Sequence, residues 1–268
     1  MSVRPSTGRW PGRLTLLVSV ALAACTQHFT PLQNRIVVGK ESYVVFVADG
    51  EGGQGDLFAM DAFGGNAYPF TYSLADESHP ALDPTGVLLA FIRSTSDTDR
   101  ASRKVWVMDL LNGRETDLPL DRGVVPEQVG WSRGGATIYV GTSNGMWALA
   151  APPASPTPHR LTGLDSLAAD SALAVLVGNP PFARVDQCRP GADAICAFAG
   201  AAPPTPVDSP AHHPFRWGSD SLGYFVGERL LVRPVGPGRP REVRIERAPD
   251  HPHEATWFGG LTDPNAAQ

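Results

Sequence analysis

Two stretches of this 268-residue chain overlay at an offset of 48: Leu57-Phe58-Ala59-Met60-Asp61-Ala62-Phe63-Gly64 and Val105-Trp106-Val107-Met108-Asp109-Leu110-Leu111-Asn112. Each is a β-prone run, then Met-Asp, then a glycine-bearing turn, and self-similarity of this kind limits the fold more than any single motif. Ahead of the second copy, residues 76–82 read as a strand, Asp83-Pro84-Thr85-Gly86 as a tight turn and residues 87–92 as a buried strand. Pro84 presets φ near about −65° and Gly86 accepts positive φ, which gives that turn a mechanism. The unit returns at Trp131-Ser132-Arg133-Gly134-Gly135 before residues 136–140, and at Leu167-Ala168-Ala169-Asp170-Ser171 before 172–177. It returns again at Trp217-Gly218-Ser219-Asp220-Ser221 before 222–226, with a last half-unit over residues 254–260. The leading residues Leu82, Trp131, Leu167, Trp217 and Trp257 stand 49, 36, 50 and 40 residues apart.

A period of about 40–50 residues is that of a four-stranded propeller blade. The 28 glycines and 26 prolines agree with many short elements broken by turns, and they exclude a coiled coil or long-helix protein. Proline-rich residues 151–158 and 201–210 are expected to be loops, because proline cannot donate to a β ladder. A single unit leaves apolar faces bare, so the array must close on itself or be capped. The expectation is an all-β chain, a β-propeller of four-stranded antiparallel blades, about five in number, with the two termini sharing a blade and closing the ring. A sixth blade beginning at Arg35-Ile36-Val37-Val38 is the alternative count, and a β-sandwich with coincidental spacing is the competing architecture.

The modules resemble the TolB-type β-propeller repeat, whose blades run roughly Pro-X-Trp-Ser-Pro-Asp-Gly, a buried strand, then a strand ending in Met-Asp before a glycine turn. The likeness covers most of residues 43–258. It weakens around 165–215, where Leu167 stands in place of tryptophan. The resemblance implies a scaffold that binds other proteins and not an enzyme. Only about 10–18 residues separate Cys25 from the first clear strand at Tyr43, so the α/β domain that precedes the propeller in TolB, and the roles tied to it, are not expected here.

The N-terminus reads as an address. Arg4, Arg9 and Arg13 precede an uncharged run, residues 14–24, too short to span a bilayer as a helix. Leu22-Ala23-Ala24-Cys25 matches the lipobox of bacterial lipoproteins, in which the cysteine is acylated. The expected organisation is a signal peptide over 1–24, a lipidated tether over 25–34, one propeller domain over 35–260 and a disordered tail over 261–268. Loss of the three arginines moves the formal charge from −5 to −8. An acidic chain repels nucleic acid. Thr26 in place of the aspartate that favours inner-membrane retention leans the location toward the outer membrane of the cell envelope. Export places the chain where disulfides form, and with Cys25 taken by lipid, Cys188 and Cys196 are expected to pair. The expected partners are other envelope proteins or peptidoglycan-associated components, with the membrane reached through lipid.

Candidate chemistry is sparse. Asp61 and Asp109 recur at one place in the repeat, so they are expected to bond turn amides. His79, His213 and His253, with Glu254, fall at the starts of inner strands, where they could ring one mouth of the channel and bind a ligand or metal. Their spacing matches no named metal motif, and no Walker loop or Gly-X-Ser-X-Gly elbow occurs. Residues 50–55 read as a flexible hairpin turn. No cofactor, metal or catalytic residue is assigned. The competing reading is a glycan-acting hydrolase using channel-mouth carboxylates among Asp76, Glu77, Glu127 and Asp165.

Overall fold

The computed structural model describes residues 31–177, 183–189, 193–198, 203–218, 220–235 and 238–260. The leader, Cys25, the first part of the tether and the tail lie outside them. Among the described residues lie five four-stranded antiparallel sheets. Blade 1 is built, from the centre outward, of His253–Phe258, Tyr43–Asp49, Gly55–Asp61 and Tyr68–Pro69. Blade 2 runs Asp76–Leu82, Leu88–Ser94, Lys104–Asp109, Arg114–Leu118, and blade 3 runs Gln128–Trp131, Thr137–Thr142, Gly145–Ala150, His159–Arg160. Blade 4 is Val175–Val177, Ala183–Gln187, Ile195–Phe198, Thr205–Asp208, and blade 5 is His212–Trp217, Ser221–Val226, Arg229–Pro234, Arg241–Val243. Inner strands of successive blades lie against one another, except that the helix Gly163–Leu173 stands between blades 3 and 4. This is a five-bladed β-propeller whose first blade combines strands from both ends of the chain. A parallel contact of Gly65–Asn66 with Ile245–Glu246 joins blades 1 and 5 again at the outer rim.

Alternation explains the packing. Along Tyr43–Asp49, Tyr43, Val45 and Val47 enter the core shared with blade 2, while Val44, Phe46 and Ala48 enter the core shared with blade 5. The strand is therefore buried on both faces, which is why it reads as an unbroken apolar run. Trp217 and Trp257 stack across the seam between blades 5 and 1, with ring centroids 5.8 Å apart. The Asp83-Pro84-Thr85-Gly86 turn forms as expected. Asp83 accepts the amides of Val87 and Leu88 at 2.8 Å each, and Gly86, at φ 65°, leaves room for the Phe258 ring. Asp61 accepts the Phe63 amide at 2.7 Å and Asp109 the Leu111 amide at 2.9 Å, the local role that repetition implied.

Two alternatives are excluded and two expectations are corrected. Residues 35–38 make turns, and Leu32, Ile36 and Val38 bury against blades 1 and 2, so no sixth blade starts there. The layered sandwich is replaced by the ring. Leu167 does not open a strand unit: it lies in the helix Gly163–Leu173, an Ala- and Leu-rich run with Asp165 in its first turn. Residues 201–210 are not wholly loop, because Thr205–Asp208 is the outer strand of blade 4, where an edge position spares Pro206 a ladder bond. Cys188 and Cys196 form a disulfide at the hairpin between the second and third strands of that blade.

Candidate functional site

Inner strands run from an upper end, shared with the hairpins joining second and third strands, to a lower end carrying the Met-Asp turns. At the upper end, blades 5, 1 and 2 repeat one device. Each inner strand carries a bulge, at His213, Glu254 and His79, and those three residues have φ of 50°, 40° and 54°. A bulge inserts one residue and re-aims its side chain. By this register Glu254 is the counterpart of His79 and His213, and His253 sits one residue earlier, opposite Val47. The signal that could have found this is the His-Pro pair at 79–80 and 213–214. It has no proline counterpart after Glu254, so the alignment by histidine slipped by one.

The four side chains assigned to the mouth are neighbours. The Glu254 carboxylate accepts the His79 backbone amide at 2.6 Å and lies 3.5 Å from His79 Nδ1. The His213 and His253 rings are 5.4 Å apart, and His212 Nδ1 is 2.9 Å from His213 Nδ1. His251 meets Asp49 at 2.8 Å on the rim. Burial, outweighing the nearby Glu254, pushes His213 down to about 4. Burial alone would raise Glu254, but the neighbouring His79, its backbone amide, His253 and His213 hold the carboxyl below its ordinary range. The mouth is thus a carboxylate set among imidazoles, able to accept from a donor and to donate from His N–H. Among the described residues, no group of three or more His, Cys, Asp or Glu is arranged to hold a metal ion.

The structure disperses the carboxylates considered for hydrolysis. Asp76 accepts the Gly55 amide at 3.0 Å, Glu127 pairs with Arg100, and Asp165 is on the helix. Glu77 is 1% exposed and is gripped by Arg93 through Nε at 2.9 Å and Nη2 at 2.7 Å. Arg93 also forks onto Glu115 and lies 4.7 Å from the Trp106 ring, a network that sequence reasoning missed because its members stand far apart in the chain. Asp56, buried beside Glu77, is pushed up to about 6, chiefly by burial and then by Glu77 and Glu51.

No protein-family model matches the sequence, and no curated protein does. Among solved structures, a chain from the crystal structure of a nidogen/laminin complex superposes with a TM-score of 0.53 at 12% identity, over 82% of this chain and 99% of that one. TolB from Acinetobacter baumannii matches with a TM-score of 0.40 at 14% identity, over 81% of this chain and 66% of that one. A putative TolB from Agrobacterium tumefaciens gives 0.38 at 13%, over 81% and 70%. What is shared with the chain of the nidogen/laminin complex is the fold. At such identities no ligand or activity transfers with it.

Proposed function

We propose that this chain is a lipid-anchored, non-catalytic binding scaffold of the bacterial cell envelope, attached through Cys25 to the outer membrane, that presents the mouth formed by His79, His213, His253 and Glu254 to a protein partner. The observation that carries this reading is the commitment of the acids near the channel mouth, with the remaining candidate, Asp165, set apart on the helix. Asp76, Glu77, Glu127 and Glu254 are each engaged by an amide or a cation, which suits a rigid recognition surface better than a pair of free carboxyls poised for proton transfer. The lipobox and the apolar leader support export and anchoring.

The test is affinity capture of the full-length protein from solubilised envelope under mild crosslinking, beside a Glu254→Gln, His213→Ala double variant with unchanged circular dichroism. A stoichiometric envelope protein that is recovered by the native chain and lost at least tenfold from the variant supports the reading. Equal recovery by both places binding elsewhere. Metabolic labelling with palmitate, and its loss in Cys25→Ser, tests the anchor.

A further inference from the structure

The lower end of the propeller carries exposed apolar side chains. Phe63 is 83% exposed and Leu111 is 52% exposed, at the same point of the Met-Asp turn in adjacent blades, while the residues just before them, Ala62 and Leu110, are buried. Val37, 49% exposed, belongs to the entry segment 31–42 at this same end. Ser42 accepts the Ala62 amide at 3.1 Å, Val87 accepts the Leu110 amide at 2.9 Å, and Gly39 lies against Val87. The entry segment and both turns therefore form one continuous rim.

Exposed cations lie along this lower rim. Arg35 and Lys40 in the entry segment, Arg114 after the second turn and Arg133 in the first turn of blade 3 are all exposed at the lower end. The acids beside them, Glu41, Asp61, Asp83 and Asp109, each turn an oxygen onto a local amide. The upper end mixes the acids Asp49, Glu51, Asp76, Glu228, Asp250 and Glu254 with the cations Arg100, Arg103, Lys104 and Arg229.

The entry point of the chain joins these observations. Pro31 is buried at the lower end, six residues along the chain from Cys25. At about 3.3–3.6 Å per residue, six residues reach about 20 Å. A lipid on Cys25, which belongs to the reading above and on which this inference rests, keeps the lower end close to the bilayer.

We infer that this rim is a membrane seat: Phe63 and Leu111 enter the interfacial layer of the bilayer while Arg35, Lys40 and Arg114 meet anionic headgroups. The histidine mouth then faces away from the membrane, open to partners.

The test uses full-length acylated protein reconstituted in vesicles of phosphatidylethanolamine with phosphatidylglycerol, with acylation of Cys25 verified by mass spectrometry. With Cys25 acylated and Cys188 bonded to Cys196, a cysteine placed by Phe63→Cys, Leu111→Cys or Glu228→Cys is the free thiol available to a nitrobenzoxadiazole probe. Blue-shifted emission at 63 and 111, with quenching by lipid-borne spin label about fivefold above that at 228, supports the seat. Acylated protein with all three probes equally in water overturns it and leaves the binding-scaffold reading standing. Shielding at 63 and 111 without lipid quenching marks a second copy of the chain on the rim and also overturns it. Absence of acylation removes the anchor and overturns the two readings together.

Discussion

A single carboxylate can hold a whole turn. Asp83 is 6% exposed and accepts four hydrogen bonds, from the amides of Thr85, Val87 and Leu88 and from the Thr85 hydroxyl. Asp83→Ala leaves those donors with nothing to replace it, so a loss of about 2–4 kcal/mol is expected from urea unfolding. Asp61→Ala, at a more open turn, is expected to lose less than about 1 kcal/mol. Equal losses at the two sites would mean that the repeated aspartates, and not the buried one, hold the blades. Titration separates two other side chains. His213 falls from the ordinary 6.5 to about 4, so between those values the unfolded chain takes up a proton that the folded chain refuses, and stability drops as pH falls through that window. Glu254, held below its usual range, adds a further loss at lower pH as its carboxylate is protonated. Asp56 acts oppositely. Its rise from 3.8 to about 6 makes the folded state take the proton first, so its burden is full above about pH 6 and gone below 3.8. Thermal midpoints across this range are expected to show a flatter acid limb for His213→Gln. Asp56→Asn is expected to gain stability near neutral pH and none at about pH 3.5. Turn aspartates were legible because repetition betrays a local role; the mouth was legible only as a set of strand starts, since a one-residue bulge leaves no mark in a histidine count.

Most elements follow from alternation and turn chemistry, and the helix that replaced an expected strand unit has a reason in packing. The Leu167-Ala168-Ala169-Asp170-Ser171 stretch imitates the end of a worn repeat, yet an Ala-Leu run gains more as helix when no neighbouring blade edge is within reach. The helix docks on blade 3 through its last turn, where Leu173 fits against Gly130 and Gly141. A Cβ on Gly130 would stand 2.7 Å from Leu173 Cδ2. Gly130→Ala is therefore expected to push the helix away and destabilise by about 1–3 kcal/mol. Leu164→Ser and Leu167→Ser, at 82% and 63% exposure, should stay within about 0.5 kcal/mol. The double variant Gly130→Ala, Leu173→Ala separates steric from backbone effects: recovery of part of the loss in chemical unfolding identifies the Leu173 contact as the cause. Were Gly130→Ala neutral, the helix would be an appendage and not a spacer between blades 3 and 4.

At the scale of the molecule, closure makes five units into one. Spacing and the leftover Trp257 half-unit disclosed the shared first blade, because a ring must place its last inner strand beside its first outer ones. The outer contact of Gly65–Asn66 with Ile245–Glu246 was not legible, since two residues carry no periodicity. The inner closure has the larger share of the packing. His253–Phe258 pairs with Tyr43–Asp49 and packs against the inner strands of blades 5 and 2. Without it, the core under Val44 and Phe46 opens and the Trp217 ring loses its stacked partner. In an array that gains stability only from neighbours, opening the ring removes two interfaces at once. Removal of residues 253–260 is expected to abolish the cooperative unfolding transition and to leave a species that binds hydrophobic dye, while removal of 261–268 leaves the transition unchanged. A synthetic peptide of residues 253–260 added to the shortened chain is expected to restore the transition with a concentration-dependent midpoint, as for any strand that binds the folded state alone. A shortened chain that unfolds cooperatively without the peptide would mean that blades 2 to 5 are stable as an open arc, and that the shared blade fastens the ends of the chain without holding the ring.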